Sequence, residues 1–194
     1  MTPYFEEAGI TVTSAKSDAD YLIVRTTVDF SKTCTDDVVL VGQDTDLMAL
    51  LIFHNTEGNV AMLRPGTAGK SDKLTNIRKL QTALGDKVCH NILFAHAVSG
   101  CDTTSAFYKK GKTSALTTLQ KDETLSQSIL IFNDVKAPMN ELLKQGEAFI
   151  LKWYGAKKCK TLDNYRYIKY NQGVGKAESL YQFRASITSY IACC

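Results

Sequence analysis

The sequence predicts an α/β fold with a parallel-sheet core and a C-terminal helical extension. Two mainly apolar runs, VVLV at 38–41 and VAMLR at 60–64, are separated by the longer apolar run LMALLIFH at 47–54 and the turn NTEGN. This alternation is typical of parallel strands joined by a helix. Most apolar residues after Pro65 follow a helical spacing, which predicts a helical remainder of the chain.

The first element in the chain is predicted to be a helix within SDADYLIVRTTVDF, 17–30. Its β-branched residues favour a strand, but Ser17 followed three residues later by Asp20 is a capping-box pattern, which favours a helix start. Strands at 38–41 and 60–64 then flank a helix at 47–54. The predicted helices beyond Pro65 are 73–85, 91–100, 113–121, 139–155, 161–172 and 177–191, with a connection at 101–112. Residues 1–133 are predicted to be the core domain and 134–194 the helical extension.

Composition indicates a globular intracellular protein in the nucleus or cytoplasm that is not secreted. Of the 194 residues, 44% are hydrophobic, and 23 Lys and Arg stand against 20 Asp and Glu. The first residues show no signal-peptide pattern, and no apolar run approaches the roughly 20 residues that span a bilayer. The six cysteines form no CxxC pair and the three histidines have no zinc-ligand spacing, so we expect reduced thiols.

Two pairs of aspartates stand at predicted helix starts. Asp44 and Asp46 follow the strand 38–41, at the edge where open α/β sheets place their ligands. Asp18 and Asp20 have the same spacing at the start of the first helix. Such residues are often only helix caps that also complement the positive end of the helix. The alternative is that they converge to hold a divalent cation, because paired carboxylates repel one another unless a cation neutralises them.

A fifth acidic residue extends the candidate metal site. Asp102 lies in GCDTTSAF, followed by three hydroxyl residues, and could also be an N-cap. Five carboxylates at the ends of three elements favour Mg²⁺ or Mn²⁺, which prefer oxygen ligands. A two-metal site of this kind catalyses phosphodiester hydrolysis. We therefore predict Asp44, Asp46 and Asp102 as catalytic residues, with Asp18 and Asp20 as further metal ligands.

A basic turn downstream of Asp102 predicts the polyanionic partner. Lysines surround a glycine just before a predicted helix, whose N-terminus can receive a phosphate. The alternative is a solvated lysine turn. The predicted nucleic-acid-binding residues, within a helix-turn-helix-like phosphate clamp at 91–120, are Lys109, Lys110, Gly111, Lys112 and Thr113.

The order of these motifs resembles the PIN-like, flap-endonuclease (structure-specific 5′-nuclease) superfamily. The segments SDADYLIV, VVLVGQDTDLMALL and LFAHAVSGCDTTSAFYKKGKTSAL carry the resemblance, which covers roughly residues 17 to 170. It implies that the two aspartate pairs and Asp102 hold the metals, that a metal-activated water attacks phosphorus, and that KKGK grips the DNA or RNA backbone. The GCDTTSAF string and the downstream YG…LDxxRYxxY segment are similar to uncharacterised invertebrate PIN-like proteins, many of them related to mobile elements.

The chain departs from that superfamily pattern at its start. The superfamily begins with a strand that carries a metal-binding aspartate, and residues 1–16 contain only Glu6 and Glu7 as acids. We therefore expect an incomplete core, which is explained by a truncated gene model, by a decayed copy, or by another chain that supplies the missing strands. The alternative is a non-catalytic domain, derived from a nuclease, that binds nucleic acid or protein. A third class is a phosphomonoesterase with a covalent aspartyl intermediate on Asp44.

The C-terminal part interleaves aromatic and basic residues between Trp153 and Tyr170. Aromatic rings can stack on unpaired bases while lysines and arginines hold phosphates. Aromatic residues at helical spacing are also typical of a protein core. Both interpretations remain open from the sequence.

Overall fold

The computed structural model describes residues 2–67, 69–156 and 158–174, and its chain divides into two compact units, Met1–Gln81 and Thr82–Cys194. The first unit is α/β and is built on a small mixed sheet. Its elements, with the last helix crossing the division, are α1 (Thr2–Glu7), α2 (Ala19–Thr33), β1 (Val38–Val41), α3 (Thr45–His54), β2 (Val60–Arg64), β3 (Lys73–Asn76) and α4 (Ile77–Leu84).

The sheet has the order β1-β2-β3. β1 and β2 are parallel, with Val38 opposite Val60, and α3 is the connection between them. The helix predicted within 17–30 is confirmed as α2, although its N-cap is Asp18 rather than the Ser17 of the predicted capping box. Val24 and Val28 are one turn apart on α2 and both buried. Burial of this stripe outweighs the strand propensity of the β-branched residues.

One expectation was wrong in this unit. Residues 73–76 form β3, which pairs antiparallel with β2, so the sheet is mixed rather than wholly parallel. The helix predicted over 73–85 begins only at Ile77, which is fully buried. The Asn76 side chain accepts the backbone N–H of Lys79 at 2.9 Å, and this cap ends the strand and starts the helix.

The core of the first unit lies on one face of the sheet, where α2 and α3 pack. Its buried residues are Val24, Val28, Leu40, Leu47, Leu51, Val60, Met62 and Ile77. The opposite face carries exposed apolar side chains, since Val39, Val41 and Leu74 are 47%, 61% and 63% exposed. Among the described strands, β1 is therefore an outer strand with one exposed apolar face.

The second unit is helical where it is described. A 3-10 turn, Leu130–Asn133, follows α7, and the helices are α5 (Asp86–Val98), α6 (Lys112–Lys121), α7 (Glu123–Ile129), α8 (Met139–Trp153) and α9 (Leu162–Val174). Phe149 and Trp153 of α8 pack in one core with Ala115 and Leu119 of α6. The two compact units meet at 81/82. The predicted boundary at 133/134, between a core domain and a helical extension, stays a prediction. The helix predicted at 177–191 lies outside the described residues.

Candidate metal and nucleic-acid site

The first aspartate pair caps α2. Asp18 is the N-cap residue in extended conformation, and its Oδ1 accepts the backbone N–H of Asp20 at 3.0 Å. Asp20 lies half-buried in the first helical turn. A carboxylate at either position is stabilised by the positive end of the helix.

The second pair repeats this geometry at α3. Asp44 is the N-cap residue, and its Oδ1 accepts the backbone N–H of Asp46 at 3.0 Å. Gly42 and Gln43 alone separate Asp44 from the last residue of β1. The pair therefore follows the carboxyl end of a strand in a parallel β1–α3–β2 unit, where α/β proteins place ligands.

The structure holds each pair within its own first helical turn. In each N-cap carboxylate, one oxygen accepts a backbone N–H. The other oxygen is of the type that Mg²⁺ prefers as a ligand. Across the described residues, no three His, Cys, Asp or Glu side chains form a group that could hold a metal ion. Carboxylate oxygens are the ligands that the predicted cation prefers. Neither aspartate pair by itself, however, provides enough ligands to complete a metal site.

Asp102 lies in the second unit, exposed in a tight turn rather than at a helix N-terminus. Cys101 and Thr104 close this turn with two backbone hydrogen bonds of 3.2 Å. The Thr104 hydroxyl also donates to the carbonyl of Ala97 in α5, at 2.6 Å. The turn is therefore anchored to the end of α5, and it presents the Asp102 carboxylate to solvent.

Gly100 is required at the start of this turn. Its φ is +98°, and a Cβ built there would lie 2.8 Å from the Cβ of Ala106 and 2.9 Å from its Cα. A side chain would meet both the strained backbone conformation and the returning chain. These contacts give a physical reason for the glycine and the small residue in GCDTTSAF.

Cys101 lies beside Asp102 with its thiol among hydroxyls. Its Sγ is 3.3 Å from the Thr103 hydroxyl and 3.2 Å from that of Thr104. These hydrogen bonds, that of Thr103 first, lower the pKa of the thiol below its usual value. The Cys101 side chain is half-exposed.

The three lysines of the basic turn have different roles. Lys109 is exposed, and its φ of +54° places it in the left-handed region. Lys110 donates to the carbonyl of Trp153, and its Nζ lies 4.7 Å from the ring centroid of Tyr154. Burial lowers the pKa of the Lys110 amine. Lys112 donates to the carbonyl of Gly100 at 2.6 Å. Two of the three therefore hold the local fold.

α6 begins at Lys112, after Gly111 as N-cap, so Thr113 lies exposed in its first turn. α5 and α6 pack against each other, and the connection 99–111 joins them. This arrangement matches the predicted pair of helices with a basic turn within 91–120. Contact between this turn and a phosphate backbone stays a prediction.

Ser114 is a residue whose importance the sequence analysis missed. Its hydroxyl accepts Nε1–H of the buried Trp153 at 2.9 Å and donates to the carbonyl of Gly111 at 2.8 Å. It thereby joins the start of α6 to the end of α8. A serine at the third position of a helix is a weak local signal, and its tryptophan partner is 39 positions away along the chain.

Comparison with known proteins gives no match to a family model, a curated protein or a solved structure. The helices within the described ranges include none that is both long and apolar enough to cross a membrane.

Proposed function

We propose that the chain is a PIN-like nuclease domain that acts on nucleic acid in the presence of Mg²⁺ or Mn²⁺. The observation that carries this proposal is the position of Asp44 and Asp46 at the carboxyl end of β1, in a parallel β1–α3–β2 unit. The second unit carries the exposed Asp102 turn and the basic turn that follows it, which are the other residues that the proposal assigns to metal and phosphate binding.

Each group would have a separate part in the reaction. Asp44 and Asp46 would hold a cation beside the strand end, with Asp18 and Asp20 of the same unit as further candidate ligands, and Asp102 is a separate candidate ligand in the second unit. The bound cation would supply Lewis-acid activation of water and would neutralise charge on phosphate. Lys109, exposed in the turn before α6, would contact the phosphate backbone.

A second candidate function is a non-catalytic domain, derived from a nuclease, that binds nucleic acid or protein. Two observations favour it: both N-cap aspartates already have a structural partner, and no group of three metal ligands forms among the described residues. In that case the acids serve only to start α2 and α3.

Manganese binding by calorimetry on the full chain separates these functions. The test variants are Asp44→Asn and Asp102→Asn, and Asp29→Asn is the control because that exposed carboxylate on α2 pairs with Arg25 and Lys32. Asparagine caps helices about as well as aspartate, so Asp44→Asn should retain most of the stability, losing at most about 1 kcal/mol of charge–dipole interaction.

The nuclease proposal expects Mn²⁺ binding that both test variants weaken and the control does not. Cleavage of labelled flap, hairpin and single-stranded substrates should show the same pattern. Absence of binding, or equal binding by all four proteins, would contradict the metal site and leave the non-catalytic function. Trapping of a phosphoryl group on Asp44 would instead indicate a phosphomonoesterase.

We further propose that another chain supplies a strand at the open edge of β1. Val38 N–H bonds to the carbonyl of Asn59 and Gly42 N–H to that of Leu63, so the backbone groups of Val39 and Val41 point away from β2. No strand pairs with that edge among the residues that the structure describes.

A further inference from the structure

A cleft in the second unit is lined by four aromatic, two aliphatic and two basic residues. It lies between the connection 99–111, the end of α8 and the start of α9. We call it the aromatic cleft, and its principal residues are Phe107, Tyr108, Tyr154, Tyr165, Arg166 and Lys169.

Hydroxyl groups join the three segments that form the aromatic cleft. The Tyr154 hydroxyl donates to the carbonyl of Tyr108 at 3.0 Å, and the Tyr165 hydroxyl donates to the carbonyl of Tyr154 at 3.3 Å. The rings of Tyr154 and Tyr165 have centroids 6.0 Å apart and planes inclined by 47°. Each tyrosine is thus held by a polar contact while its ring lines the cleft, so binding would need little reordering of these side chains.

The charge around the aromatic cleft is mainly positive. Each tyrosine ring has a nearby ammonium group: Lys109 is 5.2 Å from the Tyr108 centroid, and Lys169 is 5.5 Å from that of Tyr165. Lys110 approaches Tyr154 in the same way. Arg166 pairs with the exposed Asp163, and no acidic residue is among the described residues that line the cleft.

We propose that the aromatic cleft binds an unpaired base of single-stranded nucleic acid. The base would stack on the rings of Tyr165 and Tyr108, and the flanking phosphates would contact Arg166 and Lys169. Flat apolar rings with cations beside them match the two parts of a nucleotide, a π-faced base and an anionic phosphate. The inference rests on the proposed function for the identity of the ligand as nucleic acid.

A proline-rich peptide is the other ligand that aromatic grooves commonly take. Such a peptide needs aromatic walls but gains nothing from a cation beside each of three rings. The charge of the aromatic cleft therefore favours the nucleotide, and the peptide becomes one outcome of the test.

The test measures fluorescence anisotropy of labelled oligonucleotides with the full chain, in EDTA and at low ionic strength. The probes are oligothymidylate of about ten nucleotides, an abasic strand of equal length and, for comparison, a labelled proline-rich peptide. The absence of divalent metal makes the result independent of the proposed metal site, so failure of nuclease activity and failure of this site are distinguishable.

Matched variants separate stacking from charge. Tyr165→Leu removes a cleft ring, while Tyr167→Leu on the same helix removes a ring that is 66% exposed and does not line the cleft. Tyr165→Phe keeps the ring and loses only the hydroxyl. Tyr108→Leu repeats the stacking test on an exposed residue of the connection, in case Tyr165→Leu does not fold.

We expect the unaltered chain to bind oligothymidylate about fivefold or more tightly than the abasic strand. Tyr165→Leu and Tyr108→Leu should reduce this ratio towards one, and Tyr165→Phe and Tyr167→Leu should retain it. Lys169→Met should weaken binding of both strands alike, because it removes a phosphate contact, while Lys144→Met on α8 should not. Equal affinity for the two strands, or binding of a proline-rich peptide in place of either, would overturn the proposal.

Discussion

Replacement of Gly100 by alanine should lower the free energy of unfolding of the second unit more than the same replacement at Gly155. Gly100 and Gly155 both follow a helix by two positions, after α5 and α8, and both have positive φ, +98° and +71°. They differ in their surroundings. A Cβ at Gly155 would have no atom within 4 Å, whereas one at Gly100 would meet Ala106 at 2.8 Å.

The two glycines therefore separate backbone strain from steric overlap. A left-handed conformation costs a residue with a side chain about 1–2 kcal/mol, which is the expected loss for Gly155→Ala. Gly100→Ala adds overlap with the Cβ, Cα and N of Ala106, and overpacking of this kind costs about 1–3 kcal/mol. The expected loss at Gly100 is thus about 2–5 kcal/mol.

Urea denaturation followed by circular dichroism measures both losses, provided that the m-value stays constant. The double variant Gly100→Ala with Ala106→Gly should recover part of the loss, because it removes the Cβ–Cβ contact but keeps the contacts to backbone atoms. Equal losses at Gly100 and Gly155 would refute the steric argument. A double variant no more stable than Gly100→Ala would refute the assignment of the overlap to Ala106.

Three further predictions concern the same region. Ser114→Ala should cost about 1–3 kcal/mol in urea denaturation, because the Trp153 indole N–H loses its acceptor in a buried site. Thr103→Val should slow iodoacetamide alkylation of Cys101 about twofold or more at neutral pH, since the Thr103 hydroxyl lowers the pKa of that thiol. Burial lowers the pKa of Lys110 below 10.5, so the folded state releases this proton at lower pH than the unfolded chain. The stability of the unaltered chain relative to Lys110→Met should therefore rise as pH rises from the lowered pKa to 10.5, as denaturation across that range would show.

The open hydrogen-bonding edge of β1, where Val41 lies, gives one more testable expectation. If another strand pairs with this edge, Val41→Lys should weaken association of the chain in sedimentation velocity, because a lysine on an edge strand opposes strand pairing. Thr33→Lys, on α2, adds the same charge away from the strand and should not. Association that both substitutions leave unchanged would argue against pairing at β1.

Elements defined by local patterns were predictable from the sequence. α2 was predicted from the capping pattern of Ser17 and Asp20, which located the helix start to within one residue, since the N-cap is Asp18. β3 was missed because its pairing with β2 depends on residues across the turn at 65–72 rather than on its own four residues. Short strands with mixed polarity carry little periodicity, so their neighbours along the chain decide the prediction.

The candidate site shows the same limit. The capping geometry of Asp18 and Asp44 follows from a few consecutive residues and was anticipated. The Lys110 ammonium donates to the carbonyl of Trp153, which is 43 positions away along the chain. No pattern in the residues around Lys110 predicts this contact. Sharing of a cation by carboxylates from separate helices also depends on residues far apart in the sequence, so local patterns do not predict it.

Capping and metal binding by Asp44 are compatible, and this decides which substitution is informative. The cap uses one carboxylate oxygen to accept the N–H of Asp46, and the second oxygen can still meet a cation. The cap would even favour coordination, because it fixes the orientation of the carboxylate before a metal arrives. Asp44→Ala removes both roles together and cannot distinguish them. Asp44→Asn keeps the oxygen that caps the helix but removes the negative charge. If the unaltered chain binds Mn²⁺ and the variant loses this binding with little loss of stability, Asp44 is a metal ligand. If the unaltered chain binds no metal and the variant is equally stable, Asp44 is a helix cap alone.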